Sequence, residues 1–249
     1  MAHFDGMSAV VTGAGGGIGR GIALALAGEG AKVALFDINQ DLLDEAVAEA
    51  GDLDVTAFRC DVADREAVTR TLDGFASQSG GLDILVNNAV AFHYAPLEVF
   101  PEAEVHKMLD VGLKGTYWAI QAATPHLKKS DRPSILNLSS IAVSMAIGNA
   151  GVYSSIKGAI DALTRQQAAE LGPYGIRVNA LAPGSVVTPG ASSVITEQGW
   201  KERQAKTVLD RLPTIEDINR AAVFLCSQDA RCITGITLKI DSGMTIKGA

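Results

Sequence analysis

The chain has 249 residues, is 47% hydrophobic and carries a formal net charge of -7. That length admits one large α/β domain or two small ones, the acidic balance argues against a phosphate-backbone binder with its basic stripe, and no apolar run approaches the roughly 18 residues that span a bilayer. Met1-Ala2-His3-Phe4-Asp5-Gly6 has no basic stretch followed by an apolar one, so no signal peptide is expected, and the unpatterned Cys60, Cys226 and Cys232 read as reduced thiols in the cytoplasm.

Ser8–Thr12 reads as a short apolar strand, and a glycine turn leads from it into a helix through Arg20–Gly28. Lys32–Phe36 is a second strand closed by Asp37, and Asp41–Ala50 has helical spacing. Val55–Cys60 and Leu82–Val86 are further strands, with a helix over Ala63–Ser77 between them. Lys107–Leu127 and Val152–Leu171 are long helical stretches; Ile135–Leu138, Ile176–Ala180 and Thr237–Ile240 are the later strands. Strands that are apolar throughout and separated by helices imply a parallel sheet covered on both faces. No composition shift, linker or repeat divides the chain, so residues 1–249 are expected to form one doubly wound α/β domain of Rossmann type. The rhythm breaks between Pro183 and about Leu212, where Gly184, Pro189, Gly190, Ser192 and Ser193 occur without a clear strand. A substrate lid is expected at about 184–212.

The turn after the first strand is Thr12-Gly13-Ala14-Gly15-Gly16-Gly17-Ile18-Gly19-Arg20, with glycines spaced G-x-x-x-G-x-G. A tight turn needs a glycine, a pyrophosphate needs bare backbone, and the helix must pack close to the strand. The helix N-terminus then offers N–H groups to the phosphates. Glycine clusters also mark ordinary turns, but placement after the first strand, with Asp37 ending the second, favours the nucleotide reading. The Asp37 carboxylate can accept from the ribose hydroxyls of NAD and would repel the 2′-phosphate of NADP. Neither Ile38-Asn39-Gln40 nor Gly16 supplies a cation for such a phosphate. Asp37 could also cap the helix starting near Gln40, a compatible role.

Tyr153 and Lys157 lie four residues apart on one helix face, and Ser140 lies at the end of a buried strand. An isolated Tyr-x-x-x-Lys is usually an ordinary helix surface. Here it joins Thr12-Gly13-x-x-x-Gly17-x-Gly19, Asp61-Val62, Asn87-Asn88-Ala89, Ser140, Pro183-Gly184 and Thr188 in one order. On these landmarks the chain resembles the short-chain dehydrogenase/reductase family along nearly its whole length. The resemblance implies that NAD lies against Gly13, Gly17, Ile18, Gly19 and Asp37, that Asp61 and Val62 hold the adenine, and that Asn88 sits beside the cofactor. It implies too that Val186 and Thr188 meet the carboxamide and that Lys157 binds the nicotinamide ribose. Tyr153, Ser140 and Lys157 would be the catalytic set. Tyr153 would exchange a proton with a secondary alcohol or ketone, and the Ser140 hydroxyl would hold the substrate oxygen, with Ser139 the competing candidate. A free tyrosine has a pKa of about 10, and the Lys157 charge, with that of an oxidised nicotinamide, is expected to lower it. The alternatives are a cyclic diol or sugar dehydrogenase, or a non-catalytic NAD-binding scaffold.

Two residues depart from the family pattern. Gly112 stands where an asparagine is usual, keeping the backbone carbonyl of a proton relay and losing the side chain. Val90 replaces the glycine that usually follows Asn-Asn-Ala. His93, His106 and His126 are scattered without zinc spacing, so no metal is expected. His93 and Tyr94 follow the fourth strand, at the end of the sheet where ligands bind. The loops Val90–Tyr94, Ala142–Met145 and Gly190–Trp200 are small and apolar and favour an uncharged substrate. Trp118 reads as core or interface, Trp200 as part of the lid, and Lys128-Lys129 as complementing a helix C-terminus. The resemblance implies a homotetramer built through Lys114–Leu127, Val152–Leu171 and Thr237–Ile240. Gly158, Ala159 and Ala162 would let another helix approach, and the last strand would otherwise be an open edge.

Overall fold

The computed structural model describes residues 3–192 and 195–247. Met1 and Ala2 of the leader reading, and Ser193 within the expected lid, lie outside the described residues. The chain alternates strands and helices: β1 (Ser8–Thr12), α1 (Gly17–Gly28), β2 (Lys32–Asp37), α2 (Gln40–Ala50), β3 (Val55–Arg59), α3 (Arg65–Ser79) and β4 (Ile84–Asn87). The second half holds α4 (Glu102–Leu109), α5 (Gly115–Leu127), β5 (Ser134–Leu138), α6 (Gly151–Leu171), β6 (Arg177–Pro183), α7 (Pro189–Ser192), α8 (Glu197–Ala205), α9 (Ile215–Cys226) and β7 (Thr237–Ile240).

Among the described residues seven strands form one sheet in the order β3-β2-β1-β4-β5-β6-β7, every pairing parallel. Both faces are covered, which is why β1, β4, β5 and β6 are buried at every position. On one face, Ile22 and Leu26 of α1 meet Ile218, Ala222 and Leu225 of α9. On the other, Leu72 and Phe75 of α3 pack with Ala119, Ala123 and Leu127 of α5 and Leu171 of α6. The strand order reverses at β1, which lies between β2 and β4. The crevice beyond the carboxyl ends of β1 and β4 is where a doubly wound sheet binds ligands.

Local chemistry sets the helix starts. Asn39 caps α2 by accepting from Leu42 N, and Asp64 caps α3 by accepting from Ala67 N. Asp37 is therefore not the cap of α2. The helix α9 has no counterpart in the sequence reading, although Thr214 and Asp217 form a reciprocal capping box just before its apolar stripe. The helical stretch expected over Lys107–Leu127 begins earlier, at Glu102, and is broken by a π turn at Asp110–Lys114. Among its described residues, the segment expected as a lid carries the helices α7 and α8 and no strand. Lys128 lies with its Nζ 3.6 Å from the Tyr174 ring centroid, so its partner is an aromatic face as well as the end of α5. Arg177 is buried, and its guanidinium donates to the carbonyls of Leu225, Cys226 and Ser227, closing the C-terminus of α9 from inside the sheet.

Candidate active site

The glycine turn sits at the carboxyl end of β1. Gly13 and Gly17 have φ of +63° and +54°, a conformation that favours glycine. Close packing dictates Gly19, because a Cβ there would lie 2.1 Å from the Gly13 carbonyl oxygen. Gly16 precedes α1, which has no side-chain cap, and a Cβ on Gly16 would meet nothing within 4 Å. The result is open space over bare backbone at a helix N-terminus, the arrangement that receives an anion. Ile18 is half-buried and packs onto the core beneath the turn.

Asn88 holds this turn in place. Its Nδ2 donates to Thr12 O at 3.1 Å and to Gly13 O at 2.9 Å. Thr12 Oγ1 in turn accepts from Asn88 N and Ala89 N, tying β4 to β1 at the crevice. Asp37 Oδ2 accepts from Gly15 N at 2.9 Å and Oδ1 from Asn39 N at 3.0 Å, so its carboxylate stands at the rim of the turn. Ile38-Asn39-Gln40 and Gly16 supply no cation, but two arginines bond to backbone beside Asp37. Arg20 donates through Nε to Gly15 O at 2.9 Å and pairs with Glu45 and Glu49 at 3.2 Å. The exposed Arg59 is the ladder partner of Asp37 and donates to Ile38 O at 3.2 Å. Both cations come from other elements, where adjacency in sequence gives no hint of them. Asp61 uses Oδ1 to accept from Ala63 N at 2.9 Å, and Val62 beside it is buried. Val186 is buried, and Thr188 comes within 3.8 Å of a Cβ built on Gly17, which brings the start of the 184–212 segment over the turn. An open cradle of bare backbone, a carboxylate at its rim and an apolar wall behind it fit a dinucleotide.

The three expected catalytic residues gather after β5 and in the first turns of α6. Ser140 Oγ accepts from Ala142 N at 3.2 Å, and its hydroxyl lies close enough to the Tyr153 phenol to favour the ionised form. Ser139, the competing candidate, is turned away and donates to Lys157 O at 3.3 Å. Lys157 is buried, donates through Nζ to Leu138 O at 2.6 Å, and lies 5.7 Å from the Tyr153 ring centroid. Burial pushes the Tyr153 phenol up to about 12, offset in part by the Ser140 hydroxyl and reinforced by Tyr94. Burial likewise brings Lys157 down to about 8. Lys157 together with an oxidised nicotinamide was expected to lower the phenol's pKa; in the protein alone, desolvation is the largest cause for both groups.

Gly112 lies within the π turn, and its carbonyl accepts from Thr116 Oγ1 at 3.1 Å. A π turn inside a helix often marks a functional position. Val90 is half-buried at the end of β4. Beyond it, Phe92 and Tyr94 reach the Tyr153 phenol, their ring centroids 5.6 Å and 6.0 Å from that of Tyr153. The sequence reading singled out His93 and Tyr94, not Phe92. The structure turns His93 away, edge-on to Phe100 at 5.1 Å. Trp118 packs with the core and against Arg65, and Trp200 lies on α8 beneath Arg203. Among the described residues no cluster of His, Cys, Asp or Glu could hold a metal ion. A cavity of about 450 Å³ lined by Ser8, Asp83, His126 and Ser130 lies at the opposite, amino end of β1 and β4, away from this chemistry.

A family model described as enoyl-(acyl carrier protein) reductase matches residues 13–245. The chain is 35% identical to the 7alpha-hydroxysteroid dehydrogenase of Escherichia coli (strain K12) over 243 residues, covering 97% of this chain and 95% of the relative. It is 38% identical to a 3-oxoacyl-[acyl-carrier-protein] reductase, FabG, of Staphylococcus aureus (strain N315), covering 95% and 97%. Among solved structures, a 7alpha-hydroxysteroid dehydrogenase complexed with NADH and 7-oxo glycochenodeoxycholic acid superposes with a TM-score of 0.93 at 33% identity, covering 99% of this chain and 98% of that one. A short-chain type dehydrogenase/reductase from Mycobacterium ulcerans gives 0.94 at 27% identity, covering 98% and 91%.

Proposed function

The chain belongs to the short-chain dehydrogenase/reductase family, and on that premise we propose that it interconverts a secondary alcohol and a ketone with NAD(H), using Tyr153 as acid and base. The observation that carries this reading is the meeting of Ser140, Tyr153 and Lys157 beside an open glycine turn. NAD, when bound, supplies or accepts the hydride. Gly13, Gly17, Ile18, Gly19, Asp37, Asp61, Val62, Asn88, Val186 and Thr188 would hold it, with Tyr153 and Lys157 at its reacting end. Tyr153 keeps its proton on the hydroxyl through the neutral range, because its pKa stands at about 12. In that state it is an acid ready to donate to a ketone oxygen. The Ser140 hydroxyl, beside the phenol, would hold that oxygen within reach of the proton. Lys157, fixed by Leu138 O, supplies the cation that stabilises the phenolate left behind.

The whole chain is read as one catalytic unit, with residues 184–212 as its lid and the three free cysteines indicating a cytoplasmic setting. A homotetramer, with a dimer as second choice, is supported by the outer faces of α5 and α6. A groove of about 390 Å³ lined by Tyr117, Ile120, Leu163 and Leu171 runs between them, and a Cβ on Gly158 would meet nothing within 4 Å. Light scattering that gives the mass of a single chain would refute the assembly. The scaffold alternative has only Gly112 in its favour, and the Gly112 carbonyl is retained. The deciding experiment follows NADH absorbance with a panel of ketones, and NAD⁺ reduction with alcohols, cyclic diols and sugars. NADH binding without turnover on any of them would overturn the enzyme reading.

A further inference from the structure

We infer that Phe92 and Tyr94 form an aromatic shelf that selects substrates whose carbinol or ketone carbon is borne on a flat ring system, an inference that rests on the oxidoreductase reading above. The loop after β4 alternates its side chains as extended backbone does. His93 is half-buried and packs edge-on to Phe100, while Phe92 and Tyr94 on either side of it point the other way, 59% and 47% exposed. The two rings lie nearly parallel, 14° apart in plane with centroids separated by 6.4 Å. Ala95 N donates to Asn149 O at 3.1 Å, which fastens the loop to the segment that follows Ser140.

Position next to the reacting phenol decides what such a surface is for. The substrate oxygen must come within hydrogen-bonding reach of the Tyr153 and Ser140 hydroxyls. Whatever is attached to the reacting carbon then falls beside the Tyr153 ring, and the rings at 5.6 Å and 6.0 Å from it are those of Phe92 and Tyr94. A small aliphatic group covers little of either ring. A flat ring system can lie against the exposed face of this near-parallel pair, with the offset stacking that aromatic faces prefer. The Tyr94 hydroxyl also stays neutral, since burial raises its pKa and Arg203 offsets this only in part, so the shelf carries no charge of its own.

The test compares 1-indanone with 2-butanone as ketones under NADH. The parent protein should prefer 1-indanone by about tenfold or more in kcat/KM. In the double variant Phe92→Leu, Tyr94→Leu the efficiency for 1-indanone should fall about tenfold further than that for 2-butanone, and Tyr94→Phe should retain the preference. A preference unchanged in the double variant, or an equal fall for both ketones, would overturn the shelf. NADH titration of each variant reports that it is folded. The oxidoreductase reading itself fails only if the whole panel above is inert; the shelf is decided separately if the parent turns over neither of these two ketones. Dissociation constants for the two ketones from ligand-observed NMR, parent against double variant, would still decide the shelf: a collapsed ratio supports it and an unchanged ratio overturns it.

Discussion

Lys157 sits in the site as a buried cation, and its cost to the fold can be measured without a substrate. It is 5% exposed, and burial lowers its pKa from the ordinary 10.5 to about 8. Its hydrogen-bond acceptor is the neutral Leu138 carbonyl. Below about pH 8 the lysine is protonated in both the folded and the unfolded chain, and the folded chain bears the whole cost of the buried charge. Between about pH 8 and 10.5 the folded chain releases a proton that the unfolded chain keeps, so the cost fades. At roughly 1.4 kcal/mol per tenfold change in proton affinity, the full cost is about 3 kcal/mol. Lys157→Met removes that cost and leaves the Leu138 carbonyl without its donor, a loss of about 1–3 kcal/mol that does not depend on pH. The stability of the variant relative to the parent should therefore be greatest near pH 7 and decline by about 3 kcal/mol by about pH 10.5. Urea unfolding followed by circular dichroism at matched pH measures this, because groups common to both proteins cancel in the difference. A difference that stays constant within about 0.5 kcal/mol across that range, or that rises with pH, would refute the reasoning.

Tyr153→Phe should fold and bind NADH with near-parental affinity while turnover falls by about 10²–10⁴, the usual worth of a general acid; stopped-flow kinetics showing near-normal turnover would remove Tyr153 from its role. Asp37→Ala should weaken NAD and narrow the preference over NADP, since it removes the carboxylate at the rim of the turn that accepts from ribose hydroxyls and repels a 2′-phosphate. Equal catalytic efficiency with both cofactors in the parent would sink the reading of Asp37. Gly112→Asn places a Cβ 3.1 Å from Ile156 Cγ2, so Ile156 must give by a few tenths of an ångström. Steady-state turnover should change by less than about tenfold, because the backbone carbonyl is retained; a gain of several orders of magnitude would show that the parent is catalytically impaired.

The features legible in the sequence are those whose physics is local. Apolar runs mark buried parallel strands, and a three-residue spacing of glycines marks a turn that packs a helix against the strand before it. Tyr153 and Lys157 share a face because a helix repeats every 3.6 residues. The capping box before α9 was equally local, and that helix could have been read from Thr214, Asp217 and the stripe of Ile218, Ala222 and Leu225. The π turn at Asp110–Lys114 could not, since five residues are too few to shift a helical period visibly. Other features depend on elements far apart in sequence. Asn88 grips the Gly13 carbonyl because β4 lies beside β1, and Arg59 stands by Asp37 because β3 pairs with β2. Phe92 reaches the Tyr153 ring because the loop after β4 is fastened to Asn149. The proton affinities of Tyr153 and Lys157 belong here too: their spacing is a property of one helix, but desolvation arises from everything packed around them, and in the protein alone it raises the phenol and lowers the lysine.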